Sequence, residues 1–241
     1  VVDPFAFFYD GLPPRDWRWY SSVDHGLNNP TAWLWHGVSP KGDIITFAEH
    51  YQSNLIVADH AQIVLAREKE WGRTPDYRTG DPAMKQRSGI TGTNILQAYS
   101  EQGVFIGVEG VPHDVEPGIE RMKMYFQQRE TGSFWGAGKP KWVIADSCVN
   151  FIKELRKLRW ASYESQKMSY NRNAHETVHK KDDHAFDSAR YFATLMPKLA
   201  PPIAEGRVNY GEGSRSYTDL LLEDMARGAW QVESVDDEEW D

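Results

Sequence analysis

Residues 181–193, KKDDHAFDSARYF, crowd Asp182, Asp183, His184 and Asp187 into six positions. Carboxylates held within about 4–6 Å of one another raise each other's pKa sharply unless cations neutralise them. Two further acids stand in comparable places: Asp24 in SVDHG and Asp81 in TGDPAM, each closing a stretch with strand character and each within two residues of a glycine. Hard oxygen donors of this kind suit Mg2+ or Mn2+. Two such ions about 3.5–4 Å apart can activate water and stabilise the leaving oxygen of a phosphodiester. Asp183 and Asp187 are four residues apart and share a helix face, which His184 adjoins as a ligand or proton shuttle.

Each acid also has a plainer explanation. Asp24 suits a turn. Asp81 before Pro82 suits a helix N-cap with proline at the first helical position. Asp182 and Asp183 suit the positive end of a helix dipole. The positioning elements decide between these readings. DWRWYSSVDHG, TAWLWHGVSP and DIITFAEHYQ read as three strands joined by short turns, hence an antiparallel meander. Residues 53–72 read as a helix, DYRTGDP as a short strand, 93–103 as a helix and VFIGVE (104–109) as a buried strand. A helix over 116–130, a hairpin in FWGAGKPKWVIAD, and helices in VNFIKELRKLRW and DHAFDSARYFATLM complete the series. In such an α/β sheet, the carboxyl ends of strands gather in one crevice, where acids distant in sequence meet.

Composition sets the outer bounds. The chain has 241 residues, 40% of them hydrophobic and 26% charged, with ten tryptophans, enough for one large buried core. A single cysteine, Cys148, excludes an internal disulfide and fits a reducing compartment. No apolar run reaches membrane-spanning length, so a soluble intracellular protein is expected. The net charge of −8 at first opposes nucleic acid as a partner. The last ten residues, however, hold six acids and no base. Residues 151–181 carry eight Lys/Arg against Glu154, Glu164 and Glu176, directly before the acidic cluster. A basic stretch beside a carboxylate cluster is what a metal-dependent enzyme acting on a polyanion needs, although a solvated helix face would look the same.

Several segments together are diagnostic: VDHGLNNPTAWLWHG, GDPAM followed by AYSEQGV, PGIERMKMYF, VIADSCVNFIKELRKLRW and, most specifically, KKDDHAFDSARYF. Through them the chain resembles, over roughly residues 17–195, the nuclease domain of the large terminase subunit of tailed bacteriophages, a branch of the RNase H-like superfamily. The resemblance implies an RNase H-like mixed five-stranded sheet flanked by helices, with extra hairpin and helix insertions, spanning residues 16–196. Residues 1–15 would be a linker remnant and 197–241 an acidic tail with little packing. The implied activity is Mg2+- or Mn2+-dependent cutting of double-stranded DNA during genome packaging, with two ions in the active complex. Its catalytic acids carry over to Asp24, Asp81, Asp183 and Asp187, and its metal ligands to these together with His184.

A departure qualifies the resemblance: no G-x-x-x-x-G-K-[ST] occurs, so the ATPase motor of such a protein is not in this stretch. The partners implied are double-stranded DNA, that motor in the same parent chain, the portal and the small terminase subunit, in the cytoplasm of an infected bacterium. The isolated domain is expected to be monomeric. Two other readings stay open, a related hydrolase such as a junction resolvase, and a non-catalytic packaging module that docks through its acidic tail. His25 reads as a polar turn residue, Asp146 as a strand-end residue, Cys148 as a buried small residue, and Asp59 and His60 as surface.

Overall fold

The computed structural model describes residues 6–87, 92–111, 115–127, 133–157 and 183–199. In chain order the elements are β1 (Ala6–Phe7), β2 (Arg18–Asp24), β3 (Thr31–Val38), β4 (Ile44–Gln52), α1 (Val57–Glu70), β5 (Tyr77–Gly80), α2 (Ile95–Glu101), α3 (Glu116–Phe126), β6 (Trp142–Ala145), α4 (149–157) and α5 (His184–Leu199). A short 3-10 turn, Pro82–Lys85, follows β5. The six strands form one mixed sheet in the order β1-β6-β4-β3-β2-β5.

The expected meander forms, with Asp24 opposite Ala32 across β2–β3 and Val38 opposite Ile44 across β3–β4. Strand β5 adds in parallel to β2, and β6 adds in parallel to β4. All eight residues of β3 are buried, as befits a central strand covered on both faces. One face carries Trp19, Val23, Trp33, Trp35, Ile45 and Phe47 against Ala61 and Val64 of α1 and Tyr99 of α2. The other carries Tyr20, His36 and Trp142 against Phe192 of α5, the His36 ring stacked on Phe192 at 3.9 Å. Each fully buried tryptophan withdraws roughly 200 Å² from water, an upper bound of about 5 kcal/mol.

Strand β4 contains a bulge. His36 pairs with Thr46 whereas Trp35 pairs with Ala48, so Phe47 is the extra residue. Phe47 and Ala48 both face α1. Beyond the bulge, His50 meets His60 of α1, while Glu49 and Tyr51 reach the opposite face, where they bond to α4.

A buried polar chain seats α5 on its face of the sheet. Ser188 Oγ lies 2.9 Å from Ser22 Oγ on β2, which lies 2.9 Å from His36 Nε2 on β3. His36 Nδ1 then meets Thr46 Oγ1 on β4 at 3.0 Å, and that oxygen accepts from Trp142 Nε1 of β6 at 2.8 Å. The five side chains are completely buried, so every unmade bond in the chain would cost about 1–3 kcal/mol. Burial also holds His36 well below its usual pKa, so it is neutral. Helix α3 packs on α5 through Gly118, which faces the stem of Arg190.

Three local expectations need correction. VFIGVE makes no strand: a single bridge, Thr79 to Gly107, joins it to β5, and the Tyr77 hydroxyl occupies the space a side chain at 107 would need. The hairpin in 134–146 reduces to one strand, β6, with turns before it. Within the first fifteen residues, Ala6–Phe7 pair in parallel with Ile144–Ala145, and Phe7 and Tyr9 pack on the ring of Trp135. Their aromatic content gives this segment something to bury despite its prolines, and the five-stranded core thereby gains a sixth, edge strand.

Candidate active site

Parallel pairing of β2 with β5 places Val23 opposite Gly80, so Asp24 and Asp81 leave the sheet side by side at the carboxyl ends of neighbouring strands. The approach is tight. A Cβ at position 80 would stand 2.9 Å from both the Val23 side chain and its carbonyl oxygen, so glycine is required there for space. Asp81 also performs the capping role that Pro82 suggested, its Oδ1 accepting from the Ala83 N–H at 2.8 Å.

The first turn of α5 closes over the same end. Asp183 immediately precedes the helix, and its carbonyl accepts from the Asp187 N–H at 2.8 Å. His184 Nδ1 lies 2.9 Å from Asp24 Oδ2, and both side chains are less than one-fifth exposed. The contact with Asp24 pushes the His184 pKa up, aided by the charges of Glu154 and Asp183. Asp187 Oδ1 accepts from Arg190 Nε at 2.8 Å, and Arg190 is buried with its guanidinium over the Tyr191 ring.

The electrostatics show which acids share one field. The Asp24 pKa is raised, chiefly by burial and further by the charges of Asp187 and Asp81, while His184 opposes the shift. Tyr191, one turn beyond Asp187, is raised by burial and then by Asp24, Asp187 and Asp81 together. Asp24 therefore touches His184 and feels the charges of Asp81 and Asp187, with Asp183 beside His184 in the chain. Asp187 is paired with Arg190 and Asp24 with the His184 imidazole, and among the described residues no group of three or more His, Cys, Asp or Glu is arranged to hold a metal ion.

The remaining candidates lie apart from this cluster or serve it indirectly. His25 is a turn residue, 3.0 Å from Tyr99 Oη. The backbone N–H of Asp146, at the end of β6, bonds to Phe7. The Cys148 thiol is buried, donates to the Thr46 carbonyl at 3.7 Å, and is pushed far above its usual pKa by that burial. His60 is not at the surface: it lies on the inward side of α1 with Ala61 and Val64, its Nδ1 2.8 Å from His50 Nε2. Asp182, residues 158–181 of the basic stretch, and the acidic tail fall outside the described residues.

One residue that bears on the site escapes a reading by charge. Glu154 belongs to the basic run yet is buried. Phe151, Ile152 and Leu155 are buried around it, and that helical spacing is the signal that places Glu154 on the inner side of α4.

No protein-family model and no curated protein matches the sequence. Among solved structures, the fold is similar to the nuclease domain of the P22 large terminase, with a TM-score of 0.59 at 15% identity, covering 81% of this chain and 89% of that one. It is also similar to the large terminase of a thermophilic bacteriophage in complex with ADP, with a TM-score of 0.56 at 16% identity over 81% of this chain. The chain spans 43% of that thermophilic phage protein. No helix among the described residues is long and apolar enough to cross a membrane. The chain has the RNase H-like fold of the nuclease domain of phage large terminases.

Proposed function

We propose that this chain is a metal-dependent endonuclease that cuts double-stranded DNA. The observation that carries this reading is that Asp24 and Asp81 leave neighbouring strand ends where the first turn of α5 adds Asp187, whose charge acts on Asp24 together with that of Asp81. Three such acids, one of them raised by burial and further by the charges of the other two, constitute a site that gains by taking up positive charge. Their donors are carboxylate oxygens with one imidazole, a set suited to Mg2+ or Mn2+. Asp24, Asp81, Asp183 and Asp187 would hold the ions, with His184 completing the set. When bound, the ions supply Lewis-acid stabilisation of the phosphodiester and of the water that attacks it.

The chain's own groups prepare this. His184 fixes the rotamer of Asp24, and Arg190 fixes that of Asp187, so two acids are oriented before any ion arrives. The N-cap bond of Asp81 does the same for the third. Lys153, Arg156 and Lys157 begin the basic stretch on α4, which would contact the DNA backbone without reading bases. The likeness to large terminases, one of them solved with ADP, supports an ATPase motor in the same parent protein, and a place in genome packaging with a portal and small subunit as partners, in the host cytoplasm, extends this reading.

Cleavage of plasmid DNA in Mn2+ tests the reading. Asp24→Ala and Asp81→Ala should each remove activity while the protein stays folded by circular dichroism. Cutting retained in both variants would refute the assignment. A preference for four-way junctions over linear duplex would favour a resolvase instead.

A further inference from the structure

We infer that Glu154 is a positioning residue for the site, holding the first turn of α5 in place from below. This inference rests on the reading of the site as a metal centre. The Glu154 Oε2 accepts from the Phe186 N–H at 2.9 Å, a backbone group in the turn between His184 and Asp187. Its Oε1 accepts from the Tyr51 hydroxyl at 2.8 Å. The side chain is buried, and a buried carboxylate that satisfies a free N–H of a helix's first turn fixes that turn more firmly than a surface cap could.

Glu154 is itself held by a matching device. On β4, Glu49 accepts from the Asn150 N–H at 2.9 Å and the Phe151 N–H at 3.0 Å, at the start of α4. A carboxylate on the sheet thus caps α4, and a carboxylate on α4 caps α5. Tyr51, two residues beyond Glu49 on the same strand, ties the second cap back to the sheet. The site residues on α5 are registered to Asp24 and Asp81 through this route as well as through Ser188 and Ser22. Substituting groups that orient metal ligands typically costs about 10- to 100-fold in affinity or activity.

Calorimetric titration of Mn2+ into the full chain, with thermal unfolding alongside, tests the inference. Glu154→Gln keeps the shape of the side chain but removes its charge, so the Phe186 N–H meets a neutral amide oxygen and the Tyr51 hydroxyl must accept from the amide N–H instead of donating. The expected result is Mn2+ binding weakened about 10-fold or more in a protein that still unfolds cooperatively. Wild-type Mn2+ affinity in folded Glu154→Gln would overturn the inference, because a purely structural residue lowers only the melting point. If Glu154→Gln does not fold, Tyr51→Phe, which withdraws one partner, decides: a several-fold weaker affinity supports the role, and an unchanged one refutes it. Wild-type protein that binds no Mn2+, and whose Asp24→Ala variant cuts as it does, would instead defeat the reading of the metal centre itself.

Discussion

Gly118 offers a sharp test of how the site is supported, because it lies outside the carboxylate cluster and contacts one of its props. It sits in the first turn of α3, where ordinary helical dihedrals make alanine favourable by about 1 kcal/mol. Space, rather than backbone freedom, is what glycine provides there. A Cβ at 118 would overlap Arg190 Cγ and stand 3.1 Å from Arg190 Cδ and 3.2 Å from Thr194 Cγ2. Carbon contacts are comfortable at about 3.5–4.0 Å, so the Arg190 stem must shift by the order of 1 Å. Arg190 is only 3% exposed, enclosed by its neighbours on every side. Such a shift takes Nε out of hydrogen-bonding range of Asp187, now 2.8 Å away. Overpacking costs about 1–3 kcal/mol, from which the helix gain of about 1 is subtracted. Gly118→Ala should therefore lower the melting point by no more than about 8 °C. Mn2+-dependent cleavage should fall by at least about 10-fold, since Asp187 loses its fixed orientation. Thermal melts and a plasmid-nicking time course on the same preparation measure both. Full activity with an unchanged or raised melting point would show that Arg190 has room to move and that its bond to Asp187 is dispensable.

Other expectations concern stability. Glu68, buried, pairs with Arg78 of β5 and accepts from Trp35 Nε1 at 3.1 Å, so Glu68→Ala strands a buried guanidinium. Breaking such a pair costs about 3–5 kcal/mol, which calorimetry should read as a melting point lower by roughly 6–20 °C. Acid should also destabilise the fold. Burial lowers the pKa of His25, His36, His50 and His60, to about 4 for His25 and His50. The unfolded chain protonates these groups near pH 6.5, so stability present above that pH is lost as it falls toward 4. Glu154, raised by burial to about 7, acts in the opposite sense between 4.5 and 7, and the raised Asp24 and His184 act in that sense too, so three groups oppose four. A urea midpoint at pH 5 equal to or above that at pH 7.5 would contradict neutral buried histidines.

Asp24 and Asp81 are legible in the sequence because strand ends follow from turn chemistry, and parallel neighbours deliver their ends to one place. Asp187 is legible because helix spacing ties it to Asp183 and the helix start. Other features depend on contacts that local pattern does not encode. Glu154 hides in a charge run, and only its phase relative to Phe151 and Leu155 marks it as internal. His60 reads as polar and exposed, yet its place is set by His50 on the sheet face that α1 covers. The edge strand Ala6–Phe7 is too short to show a period at all, and it forms because β6 has an open side. VFIGVE has strand composition, but the Tyr77 ring at the sheet edge limits it to one bridge.

The bulge at Phe47 makes the site depend on a count of residues as well as on their identities. Upstream of it β4 keeps one parity, and downstream it keeps the other. The same residues paired one for one, without the bulge, would invert the strand's last five positions. Glu49 and Tyr51 would then point at the aromatic layer under α1, and His50 at the start of α4. Deleting Phe47 would not cause that, since Thr46 and Ala48 would then alternate directly and every later residue would keep its partner and its face. The extra residue is thus what lets one strand line the aromatic layer under α1 on both sides of the bulge and still send Glu49 and Tyr51 to the face where they support α4 and α5.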